Sequence, residues 1–309
     1  MILTRTPYRI SFYGGGSDYA AAIRECGGGA VLSATISRYC WLSVRRLPPF
    51  FGHHMRVAWS RVECVDRTEQ VQHPGVRAVL EHEGLEKPRL EIHHDGDLPA
   101  RSGMGASSAF TVGLLLALRA LAGRAETADA DLAHAAAAVE RWQHGDNVGA
   151  QDQIACAYGG FNVIRFAPDG SWKVHPAGIP LDHLRALEDR LVLAFTGLQR
   201  NAADMARGFV DAVAEKRDKI QLLRQQVEFG LAALVAGNFE NFGRLLHEGW
   251  MTKRSVAPGI TTERVDLIYE AARKAGATGG KLLGAGGGGF MLFCVEPERR
   301  AAVMEALRD

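Results

Sequence analysis

The chain has 309 residues, with 36 Lys plus Arg against 35 Asp plus Glu and a formal net charge of +1, a balance that excludes a nucleic-acid coat or a polybasic membrane binder. Hydrophobic residues make up 47% and charged residues 23%, an ordinary globular mix; the best apolar run, 112–122, contains Arg119 and is no membrane span, and the first residues lack a signal-peptide layout, so a soluble cytoplasmic protein is expected. The five cysteines (Cys26, Cys40, Cys64, Cys156 and Cys294) form no C-x-x-C pair, which removes zinc ribbons and thioredoxin-type chemistry. Alternation around Ile10 and Phe12 predicts an opening strand that runs into Gly14-Gly15-Gly16-Ser17-Asp18. Strands are expected over 30–36 and 40–45, then 55–59 and 89–93. A loop at 98–105 precedes an apolar helix over 107–121. A second helix spans 130–143, its apolar face carried by Leu132, Ala136 and Val139. A loop at 145–152 leads through a helical turn to a strand at 160–166. Beyond Asp169-Gly170 the pattern changes: a strand at 191–196, helical patterns over 203–235 and 239–250, a helix over 262–275 capped by Gly276, a strand at 289–295 and a closing helix over 297–307. The plain reading is an α+β chain of two lobes, 1–170 and 171–309, with a soft boundary near 167–185.

The 35 glycines are clustered at 14–16, 27–29, 103–105, 279–280 and 284–289. Such clusters bring backbone N–H groups close to a ligand, often phosphate. Two common phosphate signatures do not fit. A Walker A loop comes closest at 276–282, but Leu282 follows Lys281 where Ser or Thr is required. Residues 284–289 spell G-x-G-x-x-G, yet they lead into a strand rather than open the helix of a dinucleotide fold. The loop Leu98-Pro99-Ala100-Arg101-Ser102-Gly103-Met104-Gly105-Ala106-Ser107-Ser108 is more informative. Its glycines permit a tight turn, and its serines open an apolar helix whose free N–H groups and dipole make an anion site. A serine hydroxyl there also suits Mg²⁺; the ordinary alternative is a serine N-cap.

Three segments taken together resemble the GHMP kinases. Pro7-Tyr8-Arg9-Ile10 with Gly14-Gly15-Gly16-Ser17-Asp18 is similar to their first motif, and the 98–109 loop to their second, P-x-x-x-G-[LM]-G-S-S-A. Lys281-Leu282-Leu283 followed by Gly284-Ala285-Gly286-Gly287-Gly288-Gly289-Phe290 is similar to the third. One departure is Ala106 in place of the first serine of the second motif. The resemblance spans the chain and implies an N-terminal lobe like the second domain of ribosomal protein S5 and a ferredoxin-like C-terminal lobe. It also implies ATP and Mg²⁺ as cofactors. ATP would lie on Arg101, Ser102, Gly103, Met104, Gly105, Ala106, Ser107 and Ser108, with Mg²⁺ on Ser107 and Glu140. Asp152, in Gly149-Ala150-Gln151-Asp152-Gln153, would align or deprotonate the acceptor hydroxyl. Within the family the wording at 6–19, 28–36 and 151–153 resembles the heptose 7-phosphate kinases and fucokinase-like relatives. That branch implies transfer to the anomeric C1 hydroxyl of heptose 7-phosphate, feeding nucleotide-activated heptose for capsule or lipopolysaccharide. The rivals are a free-sugar kinase, a decarboxylase on the same scaffold like the mevalonate-diphosphate enzyme, against which the wording of the first and third motifs argues, and a non-catalytic sugar sensor.

Acceptor contacts are expected from Gly15, Gly16, Ser17, Asp18 and Asp152, and from Gly284, Ala285, Gly286 and Gly287 of the third motif. Each candidate has an ordinary alternative. Asp152 is otherwise a helix N-cap, Asp18 a turn aspartate, and Glu140 part of a solvated helix face. Arg9 is either a substrate-phosphate contact or a salt-bridge partner. Lys253 and Arg254 are either a clamp for the sugar phosphate or a surface pair. Thr196, Gly197 and Arg200 are expected to line the same cleft. His53-His54 and His93-His94 point to opposite faces of a strand and make poor metal sites. The expected partners are a small sugar phosphate and ATP, with no nucleic acid and no membrane; a homodimer is not readable from the sequence.

Overall fold

A computed structural model describes residues 1–124, 126–145, 148–199 and 202–308. Its longest element explains the first lobe. Strand β1 (Ile2–Tyr13) and strand β2 (Gly29–Arg46) pair antiparallel from Ile2 opposite Val44 to Tyr13 opposite Leu32. Where two strands are expected at 30–36 and 40–45, one 18-residue strand forms. Ser37 and Arg38 simply turn outward, and β1 pairs across the gap with a register shift between Pro7 and Arg9, where proline has no N–H to give. The other edge of β2 carries β5 (Leu90–Gly96) at one end and β6 (Phe161–Phe166) at the other. Strands β3 (Met55–Ala58), β4 (Val62–Val65) and β7 (Trp172–Pro176) complete a seven-stranded sheet. The sequence does not announce β4 or β7, which at four and five residues are too short for alternation to register.

Helix α3 (Ala106–Leu121) packs on β1 and β2, burying Phe110, Val112, Leu114, Leu115 and Leu118. A helix apolar around nearly its whole circumference belongs in the interior, and each such side chain contributes about 1.5–3 kcal/mol on burial. Helix α2 (Pro74–His82), α4 (Asp129–His144) and α5 (Gln151–Tyr158) surround α3, and a short α1 (Ala20–Cys26) follows the first glycine loop.

The second lobe holds a three-stranded antiparallel sheet in the order β8-β10-β9, from β8 (Leu191–Phe195), β9 (Ala277–Leu282) and β10 (Phe290–Val295). Helices α6 (Leu181–Arg190), α7 (Ala202–Asp211), α8 (Arg217–Val235), α9 (Phe239–Arg254), α10 (Glu263–Ala275) and α11 (Arg300–Ala306) accompany it. The helical pattern at 203–235 is thus two helices. Helix α8 packs on α9 and reaches β1 and β2, so Val227, Leu234 and Phe242 share a core with Tyr13 and Leu32. Gly276 caps α10 at φ 115°, the left-handed end its position predicts. Because β7 pairs with β6, the first sheet runs past residue 170 to Pro176, ahead of α6. Among the described residues no helix is long and apolar enough to cross a membrane.

Candidate active site

The first motif delivers Arg9 to the middle of the molecule. Its side chain is 95% buried and grips both carboxylate oxygens of Asp152, with Nε donating to Oδ1 at 2.7 Å and Nη2 to Oδ2. The third nitrogen, Nη1, donates to the Gly103 carbonyl at 2.6 Å, and the Arg9 backbone N–H to Met104 O at 3.0 Å. Burial opposes the Arg9 charge, yet the Asp152 carboxylate beside it leaves the pKa above its ordinary value. Asp152 stands in the first turn of α5 but caps nothing, since the N-cap is Ala150 and its carboxylate is taken by Arg9. Its side chain keeps 27% exposure, so the oxygens remain reachable.

The 98–105 loop closes onto α3 through Gly105 at φ 75°, and no side chain caps the helix. The serine N-cap is therefore absent, and the first-turn N–H groups carry no side-chain partner. Ser107 stands exposed on that turn, Ser102 is buried, Met104 fills the core and Arg101 projects into solvent with a left-handed φ of 59°. The third-motif loop lies directly on this one. A Cβ on Gly103 would meet Leu283 O at 2.5 Å, and a Cβ on Gly284 would meet Gly103 Cα at 2.6 Å. Phe290 N–H donates to Ser102 O at 3.0 Å. Gly286 and Gly287 are buried on the Ile260 backbone, with Gly287 N–H donating to Ile260 O at 2.9 Å, and Thr196 holds Gly289 through its hydroxyl at 2.9 Å. So Gly286 and Gly287, expected at the acceptor, face protein backbone, and only Gly284 and Ala285 are partly exposed. Arg200 lies outside the described residues.

Ser17 is also used internally. Its hydroxyl donates to Gly14 O and Ala30 O at 2.8 and 2.9 Å and accepts from Ala30 N–H, so it shapes the turn and is not free for a sugar. Gly16 seats against the Phe209 ring of α7, and Gly15 faces the Gln151 amide. Asp18, 3% exposed, accepts from Gly16 N–H at 3.1 Å, Gln151 Nε2 at 2.7 Å and Gln151 N–H at 3.3 Å. Burial, and next the Asp152 charge, push its pKa up to about 6.

Glu140 is not on a solvated face. It is 4% exposed, its Oε2 accepts from Gln153 Nε2 at 2.7 Å, and Oε1 has no partner. The serine that approaches it is Ser108, whose Oγ is likewise buried and unpartnered, while Ser107 points to solvent. The expected Ser107–Glu140 pairing is thus replaced by Ser108–Glu140, because helix periodicity turns adjacent residues 100° apart. Burial raises the Glu140 pKa to about 7, with Ser108 easing the charge. Two orphaned buried oxygens, one of them a carboxylate's, are the hard donors that suit Mg²⁺. Among the described residues no group of three or more His, Cys, Asp and Glu forms a metal cluster, so such an ion would share its coordination with ligand phosphates and water.

The two cations predicted at the acceptor part company. Lys253 is buried on the last turn of α9, donates to Gly284 O at 2.7 Å, and has its pKa lowered to about 8 by burial, with Asp18, Arg9 and Asp152 as charged neighbours. Arg254 turns the other way and pairs with Asp266 at 2.9 Å. Sequence reasoning did not assign Gln151 or Gln153 a role, nor Lys281, which is buried and donates to Ser11 O and Phe12 O at 2.8 and 2.9 Å. A lone lysine between Gly279-Gly280 and Leu282-Leu283 was the available signal.

Residues 72–160 match the family model described as GHMP kinases N terminal domain, and residues 231–309 match GHMP kinases C terminal. The chain belongs to the GHMP kinases. It is 28% identical to the D-glycero-alpha-D-manno-heptose 7-phosphate kinase of Campylobacter jejuni, covering 99% of this chain and 93% of that one. It is 25% identical to a bifunctional fucokinase/GDP-fucose pyrophosphorylase of Arabidopsis thaliana over 73% of this chain and 22% of the relative. Among solved structures, a D-glycero-D-manno-heptose 1-phosphate kinase from Bacteroides thetaiotaomicron superposes with a TM-score of 0.79 at 26% identity, covering 99% and 92% of the two chains. The phosphomevalonate kinase of Streptococcus pneumoniae, at 14% identity and a TM-score of 0.78, shares the fold. As a GHMP kinase the chain is an ATP-dependent kinase of a sugar or related small molecule.

Proposed function

We propose that this GHMP kinase transfers the ATP γ-phosphate to the C1 hydroxyl of D-glycero-D-manno-heptose 7-phosphate. The single observation that carries the reading is the buried Lys253 beside the Arg9–Asp152 fork and Asp18. Arg9 is matched by the Asp152 carboxylate, whereas Lys253, among the described residues, bonds only the Gly284 carbonyl, so Lys253 is the buried cation that remains to meet an anionic acceptor. The name of the Campylobacter jejuni relative supplies the matching substrate. The Bacteroides structure is named a heptose 1-phosphate kinase instead, an acceptor whose C1 is already phosphorylated.

In this reading the triphosphate lies over the uncapped N-terminus of α3, where N–H groups and helix dipole favour anions. Ser108 and Glu140, with Ser107 at the rim, would hold Mg²⁺, which when bound neutralises charge on the phosphate oxygens. Asp152 accepts the hydrogen bond of the attacking hydroxyl and holds it in line. Because Arg9 fixes both carboxylate oxygens, Asp152 acts first as an aligner and takes the proton as the bond to phosphorus forms, in keeping with a loose transition state. Asp18 accepts further sugar hydroxyls. Basicity from Lys253 balances the distal phosphate.

A free-sugar kinase is the second reading, favoured by the Arg254–Asp266 pair, which leaves Lys253 as the clamp's single cation. ADP release on heptose 7-phosphate against L-fucose separates the two: turnover on the phosphorylated sugar supports the proposal, and turnover on L-fucose alone replaces it.

A further inference from the structure

We propose that Gln151 is the positioning residue that presents the Asp18 carboxylate to the sugar acceptor, and that Ser11 sets the orientation of its amide; this rests on reading Asp18 as the sugar-binding carboxylate. The geometry is a relay across three elements. Ser11 Oγ, from β1, donates to Gln151 Oε1 at 2.5 Å. With the amide oxygen so occupied, its NH₂ end must face Asp18, and Nε2 donates to Oδ1 at 2.7 Å. The Gln151 backbone N–H adds a contact to Oδ2 at 3.3 Å. Oδ1 thus receives two donors, Gln151 Nε2 and Gly16 N–H, while Oδ2 receives one and retains a free lone pair for a hydroxyl.

The carboxylate has no other place to go. A Cβ on Gly149 would lie 1.8 Å from Asp18 Oδ2, so the backbone that precedes α5 closes one side. Gln151 is not needed as a cap, since Ala150 holds that position without a side-chain bond. It is also adjacent to Asp152, so one helical turn fixes both the carboxylate that binds sugar and the one that aligns the hydroxyl. Registration of the two is what an in-line transfer requires.

The charged and titratable groups around Asp18 are Asp152 on α5, Arg9 on β1, Lys253 on α9 and Tyr19 next in the chain. Donors to a carboxylate favour its ionised form. The Gln151 and Gly16 backbone N–H groups ease the Asp18 charge and stay in place in a Gln151 variant; losing the side-chain amide removes a further donor to Oδ1, and the acidic limb of kcat/KM for the sugar moves toward neutral pH.

The test is steady-state kinetics on the intact protein with heptose 7-phosphate and ATP for Gln151→Ala, the isosteric Gln151→Glu, Ser11→Ala and Asp18→Asn. Melting curves accompany each variant. The expected result for Gln151→Ala is a KM for the sugar raised roughly tenfold, with kcat and the KM for ATP changed less than about twofold. Its acid limb shifts up by about one pH unit. Gln151→Glu, which folds on the same shape but sets a second carboxylate against Asp18, is expected to be worse, and Ser11→Ala intermediate. Unchanged sugar KM and acid limb in both Gln151 variants, with Asp18→Asn impaired, would overturn the role of Gln151 and leave Asp18 as the sugar ligand. An Asp18→Asn variant with unchanged sugar KM would overturn both. Parallel losses in kcat, both KM values and melting temperature would show a purely structural residue and would also overturn the proposal.

Discussion

Arg9 and Asp152 lie 143 positions apart in sequence and meet through a two-pronged ion pair, while the remaining Arg9 nitrogen reaches Gly103 O at 2.6 Å. One side chain therefore ties the residue proposed to face the acceptor to the loop proposed to face the phosphates. Arg9→Lys keeps the charge but not the fork, and a point charge cannot serve both partners. We expect kcat to fall by about 100-fold, ~3 kcal/mol of transition-state stabilisation, with the KM for ATP raised only modestly, as measured by steady-state kinetics.

Glu140 connects activity with stability. Its folded pKa of about 7 stands above the 4.5 of the free side chain. Between those values the folded chain binds more protons than the unfolded one, so this residue makes the protein less stable as pH rises from about 4.5 to 7. Glu140→Gln removes that contribution, up to about 3 kcal/mol at full strength. Thermal melting is expected to show the variant more stable than the parent at pH 8 and equal to it near pH 4, with kinase activity strongly reduced.

Lys253 titrates in the opposite direction. With its pKa lowered to about 8, it loses charge above that pH in the free enzyme. A phosphorylated acceptor is then bound progressively less well, and kcat/KM for the sugar phosphate falls on the alkaline side. Lys253→Met removes this limb and raises the sugar-phosphate KM by roughly 10–100-fold. Arg254→Ala serves as contrast: its partly exposed pair with Asp266 contributes only ~0–1 kcal/mol, and the acceptor KM stays within about twofold.

Gly103 is expected to tolerate no side chain. Its φ of 77° and the 2.5 Å approach of Leu283 O leave neither conformation nor room for a Cβ. Gly103→Ala carries strain on the order of 1–3 kcal/mol and separates the two glycine loops. Lower melting temperature together with weaker ATP binding by calorimetry is the expected outcome.

Long, strongly patterned elements were legible in the sequence: α3 from its continuous apolar run, α10 from its periodicity and Gly276, β10 from its apolar stretch. The glycine clusters marked the two loops that pack on each other. Short elements such as β4, β7 and α1 left too few residues for a period, and α2 went unread although Pro74 with Val76, Val79 and Leu80 carries a helical pattern. Arg9, Asp18, Glu140, Asp152 and Lys253, expected from separate stretches of sequence, lie in one region of the structure, although Lys253 belongs to none of the three motifs. Which hydroxyl is free was not legible. Ser17 satisfies its own turn and Ser108 rather than Ser107 approaches Glu140, because hydrogen-bond partners and helix rotation are fixed by tertiary contacts that no local motif contains. Arg254 was misplaced for the same reason, since Asp266 on α10 claims it.

In the proposed reaction a phosphoryl group passes to a phosphorylated heptose whose hydroxyl Asp152 aligns. The most direct measurement is ADP release with ATP and Mg²⁺ on heptose 7-phosphate, L-fucose and galactose in parallel, using the parent and Asp152→Asn. Turnover is expected on heptose 7-phosphate alone, reduced at least about 1000-fold by the substitution. Turnover on a free sugar in preference, or full activity in Asp152→Asn, would contradict the proposed reaction.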